Sequence, residues 1–96
     1  MEREQIIETL KHDLPDLRSK YGADAIALFG SYARNEQKPD SDIDILVRMQ
    51  SPDYSNLMAL QRFLESRLNH KIDLVRMGTH LSPRFFAIAG KDIIYV

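Results

Sequence analysis

The stretch LFGSYARNEQKPDSDIDILV, residues 28–47, decides the fold of this chain. The apolar run 25–29 ends at Gly30 and is typical of a short buried strand. Residues 31–34 predict a short helix, and Asn35 at its end can adopt the left-handed conformation. Residues 42–47 alternate between acidic and apolar side chains at their start, which is the period-two pattern of a second strand. Strand, short helix and strand are therefore the centre of an α/β fold.

Two longer helices are predicted on either side of this centre. Apolar residues recur at steps of three and four along 6–21 and again along 57–68, which indicates amphipathic helices. Pro15 interrupts the first stripe, so we expect a kink or a second short helix that starts near Pro15. Gly22 and Asn69 are the predicted stops of the two helices.

The second half of the chain predicts two more strands and one more helix. The turn at 51–55 offers Asp53 and Ser55 as N-caps of the second long helix. Residues 71–75 predict a third strand, and 93–96 predict an edge strand after a short helix that runs from Pro83 to Gly90. Phe85 and Phe86 cannot both face one core, so one is exposed at a partner surface or fills a small second core. The order predicts an α/β sandwich of helices on a small mixed sheet.

Composition limits the class of protein. The 96 residues predict a single domain, 1–96, with a net charge of −1 and no cysteine. We expect a cytoplasmic protein, because no apolar run is long enough for a membrane span, no signal peptide is visible and disulfides are impossible. The near-neutral charge argues against binding to duplex nucleic acid.

Asp42 and Asp44 are the candidate metal ligands. Side chains two positions apart on a strand project to the same face, so the two carboxylates are neighbours while Ile43 and Ile45 point into the core. Like charges at that spacing are destabilising unless a cation lies between them. Mg²⁺ prefers such hard oxygen ligands together with substrate phosphates. A solvated strand edge is the competing interpretation.

Gly30, Ser31 and Arg34 are the candidate nucleotide-binding residues. Glycine at a strand end lets a phosphate approach the backbone, and the next helix offers free N–H donors. The Ser31 hydroxyl either contacts the phosphate or caps the helix. For Gly30 the competing interpretation is a plain turn, and for Arg34 it is a surface salt bridge.

Asp73 completes the candidate acid triad if its strand pairs beside residues 42–47. A surface carboxylate paired with Lys71 is the alternative for this residue. Three acids beside a phosphate-binding bend suit catalysis by two Mg²⁺ ions. Asp42 and Asp44 would bridge both ions, while Asp73 would hold the second ion or accept the proton of the attacking hydroxyl. His12, His70 and His80 have no ligand spacing and are interpreted as surface or loop residues.

The Gly-Ser pair, the spacer and the Ser-Asp-x-Asp strand resemble those of the polymerase-β-type nucleotidyltransferases, and more narrowly the minimal nucleotidyltransferases (MNT). The match extends over residues 5 to about 80 and includes Lys71-Ile72-Asp73-Leu74-Val75 as the third acidic strand. Asn35 departs from the glycine that many relatives carry at that position. The resemblance implies a palm-like fold that uses two Mg²⁺ ions.

The same resemblance implies a function and a partner. Relatives of this size act as antitoxins that transfer AMP from ATP to a tyrosine hydroxyl of a HEPN-domain toxin, with which they form hetero-oligomers. Two alternatives remain open. The chain is a non-catalytic antitoxin that neutralises its partner by binding, or it is the catalytic half of an enzyme that modifies a small molecule.

Overall fold

The computed structural model of the chain describes residues 1–50, 53–78 and 83–96. Its elements are α1 (Arg3–Tyr21), β1 (Ala23–Phe29), α2 (Gly30–Ala33), β2 (Ile43–Met49), α3 (Tyr54–Leu68), β3 (Ile72–Arg76), α4 (Pro83–Ala89), a 3₁₀ turn (Gly90–Asp92) and β4 (Ile94–Tyr95). The predicted order is confirmed, with the 3₁₀ turn as an addition. The first two residues of the predicted 51–55 turn, and His80, lie outside the described residues.

The four strands form one mixed sheet in the order β3-β2-β1-β4. β1 pairs antiparallel with β2 and with β4, while β2 pairs parallel with β3. The predicted mixed sheet and the edge strand β4 are therefore confirmed. Because β2 and β3 are parallel neighbours, both strands begin at the same end of the sheet.

The main core lies on one face of the sheet, beneath α1 and α3. Each helix contributes three buried leucine or isoleucine side chains, which pack on alternate residues of the strands. The fully buried residues in this layer include Ile6, Leu10, Leu17, Ile26, Leu28, Ile43, Ile45, Leu60 and Leu64. The predicted inward orientation of Ile43 and Ile45 is thus confirmed, so the intervening Asp44 projects from the opposite face.

The opposite face is covered in part by α4. The Phe85 ring meets the Phe29 ring edge to face, with centroids 5.7 Å apart, and Phe86 is 41% exposed. One phenylalanine of the pair is therefore exposed, as the sequence predicts. Whether Phe86 contacts a partner stays a prediction.

Helix ends follow the predicted chemistry. Gly22 and Asn69 end α1 and α3 in the left-handed conformation, with φ of 71° and 49°, and Asn35 adopts φ of 61° after α2. The Asp53 carboxylate accepts hydrogen bonds from the Ser55 and Asn56 N–H groups, so Asp53 is the N-cap of α3.

The interruption expected at Pro15 is wrong in one respect: α1 is one helix through Pro15, with no second helix starting there. Proline within a helix costs about 3 kcal/mol. Ile6, Leu10 and Leu17 lie on both sides of Pro15 and are fully buried, and each contributes about 1.5–3 kcal/mol by burial. Burial of the continuous stripe therefore outweighs the proline penalty.

Among the described residues, no helix has both the length and the apolar character that crossing a membrane requires.

Candidate active site

Two parallel strands bring Asp44 and Asp73 together. Asp44 in β2 and Asp73 in β3 are register partners across the parallel pair, and neighbouring strands lie about 4.8 Å apart. The two carboxyl groups lie near enough for the negative charge of Asp73 to raise the pKa of Asp44. The predicted convergence of the acidic strands is what the structure shows for these two residues.

The pKa of Asp44 is raised from 3.8 to about 6. Partial burial is the largest cause, followed by the negative charge of Asp73, a hydrogen bond shared with Asp73 and the charge of Asp42; Arg34 acts in the opposite direction. All three acids of the predicted triad therefore contribute to one negative field, centred on Asp44.

Asp42 lies one residue before β2, at the solvent-exposed side of the acid cluster. Its side chain is 41% exposed, and its Oδ2 atom is 4.0 Å from the Lys71 Nζ atom. The alternative that pairs Lys71 with Asp73 is therefore wrong, since the lysine pairs with Asp42. The pair is exposed and separated by 4.0 Å, so a cation would displace Lys71 at little cost.

Side chains of α3 hold the start of β3, a contact that the sequence did not predict. Gln61 Nε2 donates to the Ile72 carbonyl at 3.2 Å, and the Ile72 N–H donates to Glu65 Oε2 at 3.3 Å. On its other side β3 pairs with β2. The start of β3 is therefore hydrogen-bonded to α3 on one side and to β2 on the other. These bonds fix the position of the adjacent Asp73. The helical spacing of Gln61 and Glu65 was visible in the sequence, but their target was not.

Gly30 is required by Asp44 as well as by its own backbone. Its φ is 73°, and a Cβ atom at this position would lie 2.8 Å from Asp44 Cγ and nearer still to Oδ2. Phe29, the last residue of β1, is the register partner of Asp44, so the bend follows directly beside the carboxylate. Gly30 is thus more than a plain turn, because it makes room for the central acid.

Ser31 does not cap α2. The N-cap residue is Phe29, and α2 has no side-chain cap, so the capping alternative is wrong. The reason is that α2 starts at Gly30 itself, two residues earlier than a serine cap at position 31 requires. Within the described part of the chain, the Ser31 hydroxyl has no hydrogen-bond partner, which leaves it available to a ligand.

Arg34 lies at the end of α2 and faces several acids. Its Nε atom is 3.5 Å from Glu36 Oε2, and its Nη1 atom is 3.8 Å from Asp92 Oδ2. The same guanidinium lowers the pKa of Asp44. The surface ion pairs of Arg34 are therefore confirmed, while its contact with a nucleotide stays a prediction.

The donor set suits Mg²⁺ in its chemistry, because it consists of carboxylate oxygens with uncompensated negative charge. Within the described residues, however, no group of three or more His, Cys, Asp and Glu side chains is arranged to enclose an ion. Asp44 and Asp73 are register partners on neighbouring strands, while the Asp42 Oδ2 atom lies 4.0 Å from the Lys71 Nζ atom. A site of this kind needs the oxygens of a bound triphosphate to complete the coordination, which is how Mg²⁺ is commonly held.

The raised pKa of Asp44 predicts a pH dependence of stability in the metal-free protein. A carboxyl group whose pKa is higher in the folded state stabilises the fold below its unfolded value, and this stabilisation is lost as the pH rises through the folded value. We therefore expect the contribution of Asp44 to fall between pH 3.8 and about pH 6. Urea unfolding in EDTA at several pH values measures it, and Asp44→Asn should remove the fall.

The exposed Asp16 on α1 provides the matched control. Asp16→Asn should retain the wild-type pH profile. If Asp44→Asn and wild type show parallel profiles across this range, the electrostatic account of the acid cluster is wrong.

Comparison with known proteins identifies the family. The family model described as "Nucleotidyltransferase domain" matches residues 6–94. The chain belongs to this nucleotidyltransferase family. The match covers both acidic strands and the Gly30-Ser31 bend, so the resemblance seen in the sequence is confirmed.

Two similar proteins carry the name of one class of nucleotidyltransferase, the protein adenylyltransferases. MJ0128 of Methanocaldococcus jannaschii, whose name places it among the protein adenylyltransferases, is 42% identical over 96% of this chain and 95% of its own length. Protein adenylyltransferase MntA of Thermococcus cleftensis is 35% identical over 97% of this chain and 94% of its own.

Two solved structures share this nucleotidyltransferase fold. One, described as a minimal nucleotidyltransferase, has a TM-score of 0.80 and 29% identity, and the alignment covers 98% of this chain and 95% of that chain. The other is a toxin–antitoxin with AMP-PNP, with a TM-score of 0.54 and 32% identity over 79% of this chain and 57% of that chain. The predicted fold class is thereby confirmed.

Proposed function

We propose that this chain is an antitoxin that transfers AMP from ATP to a tyrosine hydroxyl of a HEPN-type toxin, with release of pyrophosphate. The observation that carries the proposal is the pairing of Asp44 with Asp73 across the parallel strands, within the field of Asp42 and directly beside the Gly30 bend. The names of the two relatives and the AMP-PNP in the toxin–antitoxin structure support the donor, the reaction and the kind of partner.

In this proposal the acids hold two Mg²⁺ ions. Asp42 and Asp44 would contact both ions, and Asp73 would hold one ion or take the proton of the acceptor hydroxyl. When bound, the ions neutralise the triphosphate and lower the pKa of the attacking hydroxyl. Asp44 lies in the negative fields of Asp73 and Asp42, and the positive charge of bound ions would offset this repulsion and favour the ionised carboxylate.

The proposed nucleotide-binding residues lie beside the acid cluster, at the Gly30-Ser31 bend and in α2. The free backbone N–H groups at the start of α2 and the unpartnered Ser31 hydroxyl would bind phosphate oxygens. α2 spans one turn, so individual N–H donors matter more here than a helix dipole. Arg34 would exchange its exposed pairs with Glu36 and Asp92 for a phosphate, because such pairs are weak.

We further propose that residues 1–96 act as one minimal nucleotidyltransferase unit in the cytoplasm, where ATP, Mg²⁺ and the toxin are available. The described fold contains the acids and the bend, while an acceptor-binding surface is supplied by the partner. The functional species in this proposal is a hetero-oligomer.

The direct test is adenylylation of a co-expressed HEPN-type partner. The purified pair is incubated with ATP and Mg²⁺, and peptide mass spectrometry locates any AMP on the toxin. We expect modification of a tyrosine, and no modification with EDTA or with the Asp42→Ala, Asp44→Ala double variant. Rescue of growth by that double variant, with unmodified toxin, would support the non-catalytic antitoxin instead.

A second arm replaces the toxin with small molecules that carry hydroxyl groups. If the chain transfers AMP to one of these molecules, and the toxin stays unmodified in the first experiment, the antitoxin proposal is contradicted. This result would support the small-molecule enzyme.

A further inference from the structure

His70 contacts segments that belong to both halves of the site. It follows Asn69, the left-handed residue that ends α3, and lies three residues before Asp73. Its Nε2 atom is 2.6 Å from the carbonyl oxygen of Ser41, the residue that precedes Asp42. The same atom is 3.3 Å from the Tyr32 hydroxyl, one residue after Ser31. One imidazole therefore joins the segments that carry all three acids and the bend.

The hydrogen bond to Ser41 fixes the tautomer of this imidazole. A carbonyl oxygen only accepts hydrogen bonds, so Nε2 must carry the hydrogen and donate it to Ser41. The Tyr32 hydroxyl then lies beside the same N–H group at the longer distance of 3.3 Å. The 2.6 Å bond is the stronger restraint, and it acts on the residue next to Asp42.

Packing holds the histidine side chain in this place. The Tyr32 and His70 rings meet edge to face, with centroids 5.7 Å apart, and Tyr32 is only 3% exposed. Tyr32 also belongs to the main core. The imidazole is therefore supported by a buried ring of α2, while its donor reaches across to the loop before β2.

We propose that His70 is a positioning residue that fixes the separation between the Gly30-Ser31 bend and the Asp42 end of β2, so that metal and triphosphate bind at both together. The inference rests on the proposed nucleotidyl transfer and deepens it. Without the bond to Ser41, the loop before Asp42 gains freedom, and the acids have to be ordered each time an ion binds. Loss of such a supporting hydrogen bond typically costs 10–100-fold in metal affinity or activity.

The variants are chosen to keep or remove the Nε2 donor. The side-chain amide of His70→Gln can place an N–H group near the Nε2 position, whereas the shorter His70→Asn cannot reach Ser41. His70→Leu removes the donor altogether. His12, which is exposed on α1, provides the matched control in His12→Asn.

The first measurement is binding of Mn²⁺, in the presence of a non-hydrolysable ATP analogue, by electron paramagnetic resonance. We expect the dissociation constant to rise about 10-fold in His70→Asn and His70→Leu, to stay within about 3-fold of wild type in His70→Gln, and to be unchanged in His12→Asn. This readout needs no acceptor, so it is separate from the test of AMP transfer.

The second measurement is hydrogen exchange of the free protein. In His70→Asn the amides of residues 31–36 and 41–44 should exchange faster, while those of β1 keep wild-type protection. If His70→Leu does not fold, the comparison of His70→Gln with His70→Asn still tests whether the Nε2 donor matters. Equal metal affinity in these two variants would overturn the proposal, as would faster exchange throughout the sheet, because that result indicates general destabilisation.

Discussion

Asp44→Asn is expected to lower the rate of AMP transfer about 10³-fold while the fold persists. Asparagine keeps the size of the side chain but removes the charge at the centre of the acid cluster, where the fields of Asp42 and Asp73 meet. Metal stabilisation of the transition state is worth several kcal/mol, and each 1.36 kcal/mol changes a rate about tenfold. Single-turnover transfer to the toxin in saturating Mg²⁺ and ATP measures the effect.

The same variant should be more stable than wild type, although it transfers AMP more slowly. Because ionised Asp44 is unfavourable beside two other acids, metal-free Asp44→Asn should resist urea better than wild type at pH 7. Asp16→Asn should match wild type in both assays. Full transfer activity in Asp44→Asn would place the metal elsewhere, and lower stability would show that the carboxylate serves the fold.

Gly30→Ala is expected to reduce AMP transfer on the order of 10²-fold, because it displaces the acid against which it is packed. The added Cβ would lie 2.8 Å from Asp44 Cγ, so the carboxylate has to move away from the bend. The left-handed backbone adds a strain of about 1–2 kcal/mol. Transfer kinetics and urea unfolding, measured on the same preparation, separate the two effects.

Two other glycines distinguish displacement from strain. Gly22 has nearly the same φ, 71°, but among the described residues its added Cβ would meet Gln50 alone, at the ordinary contact distance of 3.8 Å. Gly22→Ala should therefore lose stability and keep its transfer rate. No atom of the described residues lies within 4 Å of a Cβ added at Gly90, so Gly90→Ala should be neutral in both assays. An equal loss of activity in Gly22→Ala and Gly30→Ala would contradict the role of the Asp44 contact.

The element order and the meeting of the acidic strands were predictable from local patterns. Period-two and helical spacings locate the strands and helices, and the left-handed residues Gly22, Asn35 and Asn69 mark ends that the structure confirms. Asp73 was predictable because a third strand beside Asp42 and Asp44 follows from the α/β order. These features depend on residues close in sequence, or on a strand pairing that few topologies allow.

Contacts between distant residues were not predictable in the same way. His70 reaches Ser41 and Tyr32 across 29 and 38 positions, and no spacing in the sequence relates them. The second helix expected at Pro15 was wrong because a local penalty was weighed without the burial on both sides of it. The capping role of Ser31 was wrong because α2 begins at Gly30, two residues earlier than a cap at Ser31 requires.

The chain keeps most of its stabilising core on one face of the sheet and its acids on the other. α1 and α3 bury their side chains against Ile43, Ile45 and their neighbours, whereas Asp44 and Asp73 project from the opposite side. Substitutions of the acids themselves therefore leave the packing of α1 and α3 on the sheet in place. Such a scaffold can evolve new acceptor specificity on one side while the other side preserves the folded state.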